Sequence, residues 1–170
     1  MDPLIPFVRA LQHRAVRFVI IGVAGANYFS ISGSTQFATQ DRDLFLPPDT
    51  DTLLHVWQAC DEAGLSLSVG LEPLDGPRDR ELAGRVIERR VTTRASNGTD
   101  LDVDLTFIME GFDFETVWRE RRTFTVDGTE IPVARLLHIV ASKQATGRDK
   151  DRLFLATHKQ ALADLLKSGE

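Results

Sequence analysis

Two aspartates one residue apart, followed at once by apolar side chains, set the strongest constraint on this chain: Thr39-Gln40-Asp41-Arg42-Asp43-Leu44-Phe45-Leu46. A run of this kind reads as a β-strand, and successive side chains of a strand point to opposite faces. Asp41 and Asp43 therefore share one face, and Arg42 and Leu44 take the other. Two carboxylates that close repel one another. A fold accommodates them where a cation lies between them, usually a divalent metal ion, or where water solvates both.

A second acidic strand follows. Val86 to Ala95 and Thr99 to Phe107 flank Ser96-Asn97-Gly98, and Asn-Gly is a strong hairpin signal. The second arm alternates strictly, with Leu101, Val103 and Leu105 on one face and Asp100, Asp102 and Asp104 on the other. If it neighbours the first acidic strand, three carboxylates converge at one end of a sheet. Such a cluster suits Mg²⁺, which prefers a few carboxylates together with water and substrate phosphates. An acidic row of this kind also occurs as a plain solvated strand face.

The remaining pattern alternates strands and helices. A short helix is expected over 3–14, and Arg17-Phe18-Val19-Ile20-Ile21 reads as a buried strand. The small residues Gly22-Val23-Ala24-Gly25-Ala26 follow, allowing a sharp turn or close approach to a phosphate. A helix is expected from Ala24 to about Ser30 and a loop over Ile31–Gln36. The Asp41 strand stops at Pro47-Pro48, and Asp49 and Thr50 are good caps for a helix that ends near Gly64. Leu65–Val69 alternates as a strand, and residues 70–83 read as an irregular, mobile loop with room for a turn of helix. A short helix is expected around Phe112–Trp118, then a hairpin with arms 123–126 and 129–133 around Asp127-Gly128. One helix is expected over 134–147, with Leu136, Leu137, Ile139 and Val140 inward, and a last one over 149–167. The fold class expected is α/β (α+β). A short mixed sheet is flanked by helices in one domain over 1–170, with the core at about 15–133 and a helical segment at about 134–170.

Composition narrows the function classes. The net charge of −5 leaves no global basic field to recruit nucleic acid. Arg78, Arg80, Arg85, Arg89, Arg90 and Arg94 form a local basic stretch, read as a solvated hairpin face or as a contact to a phosphate backbone. A single cysteine, Cys60, excludes an internal disulfide and fits a reducing compartment. With no apolar run long enough to span a bilayer and no signal-peptide pattern at Met1-Asp2-Pro3-Leu4, a cytoplasmic protein without membrane contact is expected. His13, His55, His138 and His158 lack zinc-site spacing, and Gly-x-Ser-x-Gly is absent.

The order strand, glycine turn, helix, Asp-x-Asp strand and later Asp strand resembles the nucleotidyltransferase superfamily, the fold of polymerase-beta-like and antibiotic-modifying nucleotidyltransferases. Phe18-Val19-Ile20-Ile21-Gly22 and Ala38-Thr39-Gln40-Asp41-Arg42-Asp43-Leu44 resemble small bacterial abortive-infection and toxin–antitoxin members. Ile131-Pro132-Val133, Leu136-Leu137, Lys143 and Gly147-Arg148-Asp149-Lys150-Asp151 extend the resemblance over about residues 17–160. The resemblance implies Asp41, Asp43 and Asp104 as catalytic carboxylates and Mg²⁺ ligands, with Asp102 as the reserve for Asp104. It places Gly22, Val23, Lys143 and Lys150 at the nucleotide. The implied reaction moves a nucleoside monophosphate from an NTP such as ATP to a hydroxyl of an RNA, a protein or a small molecule. An alternative is a catalytically silent member that binds nucleotide or an antitoxin-like protein partner. Asp151 reads as a salt bridge within the last helix. The chain departs from the family's pattern at Val23, at Phe37 in place of an arginine and at Arg42 in place of an apolar residue. The spacing from Gly22 to Asp41 is also long, with Gly25 or Gly33-Ser34 as stand-ins for part of the phosphate loop.

Overall fold

The computed structural model describes residues 1–30, 37 and 41–168. The expected loop Ile31–Gln36, the Gly33-Ser34 pair and Ala38–Gln40 lie outside the described residues. The fold begins with helix α1 (Leu4–His13), whose first turn is closed by the Asp2 carboxylate accepting from the Leu4 N–H at 2.9 Å. Strand β1 (Val19–Ile21) runs directly into helix α2 (Gly22–Asn27). The acidic strand is β2 (Asp41–Phe45), followed by α3 (Thr50–Glu62), capped as expected by Asp49 accepting from Thr52 N–H. Then come β3 (Ser66–Val69), β4 (Glu72–Pro73), α4 (Arg80–Glu88), β5 (Thr93–Ser96) and β6 (Asp102–Thr106). The chain closes with α5 (Phe114–Arg119), the hairpin β7 (Arg122–Val126) and β8 (Thr129–Val133), and helices α6 (Leu136–Thr146), α7 (Asp149–Thr157) and α8 (Lys159–Leu166).

The eight strands form one mixed sheet in the order β4-β3-β5-β6-β2-β1-β8-β7. The pairs β2–β6 and β1–β8 are parallel and the others antiparallel. Apolar side chains cover both faces. On one face Leu44, Val103 and Leu105 pack under α1 and α3 through Phe7, Leu11, Leu53 and Trp57. On the other Val19, Ile21 and Phe45 pack with Phe114, Val117, Leu136, Ile139 and Leu162. Arg42, on the first face, pairs with Asp2 at 2.8 Å and so ties β2 to the start of α1.

Four expectations are corrected. The stretch from Val86 is not a strand arm. Residues 80–88 are helical, because Asp79 caps Leu82 N–H and buries Ala83 and Val86 at helical spacing. The strand arm starts only at Thr93. Residues 70–83 hold a short strand, β4, that was not expected, beside the turn of helix that starts α4. The last helix breaks at His158 into α7 and α8, which turns Leu162 into the second core. Leu137 is 45% exposed, and His138 takes the inward position instead.

Candidate active site

The site is built by register. Parallel pairing of β2 with β6 sets Asp41 beside Asp102 and Asp43 beside Asp104, all on the sheet face opposite Leu44 and Val103. Directly opposed like charges are unfavourable. Asp43 carries the consequence: burial first, then the charges of Asp104 and Asp41, push its carboxyl up to about 6, against the opposing pull of Lys143 and Lys150. Gly22 begins α2 with φ +70, and a Cβ there would stand 2.6 Å from Asp43 Oδ2. Glycine is therefore required twice over at that position, by conformation and by space.

A cavity of about 570 Å³ opens beside these residues. Asp43, Asp104 and Gly22 line it from the sheet side; Lys143, Thr146, Arg148 and Lys150 line it from α6 and α7. The α6–α7 junction is held by one carboxylate. Gly147 ends α6 in the left-handed conformation, as a C-terminal glycine commonly does. Asp151, 1% exposed, accepts from Lys143 Nζ at 3.2 Å, from Arg148 Nε at 2.8 Å and from Thr146 Oγ1. Burial alone would raise its carboxyl, but these donors outweigh burial and hold it at about 2. Lys143 Nζ also lies 4.9 Å from the centre of the Phe154 ring. Asp151 thus joins two helices and aims Lys143 and Arg148, rather than pairing only within α7.

Of the residues singled out from sequence, Asp43, Asp104, Gly22, Lys143 and Lys150 meet at this cavity. Asp41 shares the strand face of Asp43 but does not line the cavity. Val23 packs against the second core instead of lining the cavity. Phe37 is 2% exposed, with its backbone held by Asn27 in both directions, at 2.7 and 2.9 Å. Its ring meets Phe154 and His158 edge-on. It serves as a packing anchor.

Arg94 is the residue that sequence reasoning passed over as part of a basic run. It stands opposite Asp104 across the β5–β6 ladder. Its Nε and Nη2 donate to the two Asp104 oxygens at 2.9 and 3.2 Å, and Nη2 lies 3.3 Å from Asp41 Oδ2. The hydrogen bond to Asp104 first, and then the surrounding carboxylates, hold its guanidinium strongly protonated. The signal lay in the alternation of Thr93-Arg94-Ala95 against Val103-Asp104-Leu105, once the hairpin register is known.

The donor chemistry suits a hard divalent cation such as Mg²⁺, with carboxylate oxygens on adjacent strands and no glycine Cβ over Asp43 Oδ2. Among the described residues no group of three or more His, Cys, Asp or Glu side chains is gathered into a metal cage.

No protein-family model matches the sequence, and no curated protein matches it. Among solved structures, the chain is similar to a lincomycin-bound lincosamide antibiotic adenylyltransferase, LnuA, with a TM-score of 0.59 at 13% identity. The match covers 94% of this chain and 96% of that one. The fold is similar to that of this nucleotidyltransferase structure. The likeness extends through the mixed sheet and the helices around it, nearly end to end. Among the described residues no helix is long and apolar enough to cross a membrane.

Proposed function

We propose that this chain binds a nucleoside triphosphate with Mg²⁺ in the cavity and transfers the nucleoside monophosphate to a hydroxyl acceptor, releasing pyrophosphate. One observation carries the reading: a single cavity joins the carboxylates Asp43 and Asp104 to the cations Lys143, Arg148 and Lys150. Asp41, Asp43 and Asp104 would hold the metal, which when bound neutralises phosphate charge and favours the attacking oxygen. Lys143 and Lys150 bind triphosphate oxygens as point charges, and Arg148 adds a planar fork of donors. Asp104 accepts the proton that leaves the acceptor hydroxyl as the new phosphate ester bond forms. The broken bond lies between the α- and β-phosphates, and its electrons leave with pyrophosphate.

The neighbour's bound lincomycin makes a small-molecule hydroxyl the first acceptor class to test, ahead of RNA or a protein hydroxyl. An NTP substrate and one buried, unbridged cysteine fit the cytoplasm. Arg94 favours a second reading, in which the chain binds nucleotide or an antitoxin-like partner without transfer, because its guanidinium already neutralises Asp104.

Mg²⁺ with NTP should stabilise wild type by RT ln(1 + [L]/Kd), read as a higher melting temperature, and should not stabilise an Asp41→Asn/Asp43→Asn double variant. No shift with any NTP sinks the first reading and the nucleotide-binding form of the second. A shift without pyrophosphate release across small-molecule, RNA and protein acceptors selects the second.

A further inference from the structure

A cation of the chain's own sits among the carboxylates. Arg94 donates to both oxygens of Asp104, lies 3.3 Å from Asp41 Oδ2, and brings Nη1 within 3.9 Å of Asp102 Oδ2. One guanidinium thereby engages three of the four aspartates that β2 and β6 place on this face. Its position follows from the ladder, since Arg94 and Asp104 are a cross-strand pair and the contact exists whenever the sheet is formed. Bidentate arginine–carboxylate pairs are among the stronger charged hydrogen bonds and fix orientation as well as charge. A divalent ion bound by Asp41, Asp43 and Asp104 would use the oxygens that Arg94 now holds, so the two cations exclude one another.

We propose that Arg94 is the resident cation of this cluster, and that a divalent metal loads only as Arg94 releases Asp104. The inference rests on the reading that the cluster takes a metal with its nucleotide. Metal loading is then an exchange, arginine out and metal in. The free chain binds metal weakly. The metal enters together with the nucleotide, whose phosphate oxygens supply further ligands that offset the loss of the Arg94–Asp104 contact. Arg94 becomes a selector for the metal–nucleotide complex over the bare ion.

Mn²⁺ alone, titrated into wild type, Arg94→Gln and Arg94→Lys and followed by the electron paramagnetic resonance of free Mn²⁺, tests this. Removing one positive charge from contact with the carboxylates at partial exposure is expected to tighten Mn²⁺ binding by roughly tenfold in Arg94→Gln. Arg94→Lys, which keeps the charge, should stay near wild type. Equal affinities in wild type and Arg94→Gln, or weaker binding in Arg94→Gln, overturn the exchange. If Arg94→Gln does not fold, the Arg94 Nε–H nuclear magnetic resonance signal, assigned by its loss in Arg94→Lys, gives the answer in wild type. It should lose protection from solvent exchange as Mg²⁺ and NTP are added together, and an unchanged signal at saturation overturns the exchange. A thermal shift with Mg²⁺ and NTP beside equal Mn²⁺ affinities removes only the exchange. No shift and no Mn²⁺ binding in any chain removes the metal-dependent reading as well.

Discussion

Asp151 shows how much one buried charge can organise. It is almost fully enclosed and, from α7, accepts from three donors, two on α6 and one in the turn between the helices. Removing the charge from a buried pair leaves the partner uncompensated, at a cost of about 3–5 kcal/mol in a closed interior. Arg148 is largely solvated, so about 2–3 kcal/mol is the better expectation for Asp151→Asn. A carboxyl held at about 2 in the fold, against 3.8 ordinarily, contributes stability above the unfolded value. That contribution is lost as pH falls from about 4 toward 2. Urea unfolding should therefore separate wild type from Asp151→Asn widely at pH 7, with the gap narrowing below pH 4. A gap independent of pH would mean that packing, not charge, holds the junction. Gly22 makes a second residue-scale case. Gly22→Ala adds an unfavourable positive φ and a Cβ 2.6 Å from Asp43 Oδ2. It should lower stability by at least about 1 kcal/mol and weaken Mg²⁺–NTP binding as Asp43 is displaced, both readable by thermal shift with and without ligand.

At the scale of elements, Phe37 is fastened to α2 through Asn27, whose amide accepts from Phe37 N–H and donates to its carbonyl. Asn27→Ala removes both bonds and should cost about 1–3 kcal/mol in chemical denaturation. It should also speed backbone amide exchange at the start of β2 while leaving β7 and β8 unchanged. Equal exchange in both places would show that Asn27 is not the fastening. The acidic strands were legible because alternation is local: Leu44 against Asp43 and Val103 against Asp104 declare their faces without knowledge of neighbours. The parallel register that brings Asp43 beside Asp104 was legible only as a condition, since pairing is decided by the whole sheet. Helix α4 was missed because its cap, Asp79, lay inside a stretch rich in glycine and proline, and its apolar face reads equally as the start of a strand. Arg94 was hidden in a run of arginines whose other members stand on α4, its approach and its exit. Asp151 was read as a pair within one helix, because the break at Gly147 makes its real partners neighbours only after α7 folds back on α6.

For the molecule as a whole, the two apolar faces of the sheet supply the stability against which the charged site is held. Asp43 measures that opposition. Its carboxyl rises to about 6 in the fold, so ionising it there is harder than in the unfolded chain. The folded state then binds more protons than the unfolded state between about pH 4 and 6, and stability falls as pH rises through that window. Above it the cost is fully present and constant. Two pKa units correspond to about 3 kcal/mol, and partial exposure reduces that to about 1–2 kcal/mol. In metal-free buffer Asp43→Asn should therefore be more stable than wild type at pH 7, melting on the order of 3–6 °C higher, and equal to it near pH 4. The same variant should lose the stabilisation by Mg²⁺ and NTP, because the neutral amide no longer attracts the cation. Scanning calorimetry of both chains at the two pH values, with and without ligand, tests the opposition directly. An Asp43→Asn chain less stable than wild type at pH 7 would mean that the carboxylate is held by partners in the fold rather than strained by burial. The site would then exact no cost from the rest of the molecule.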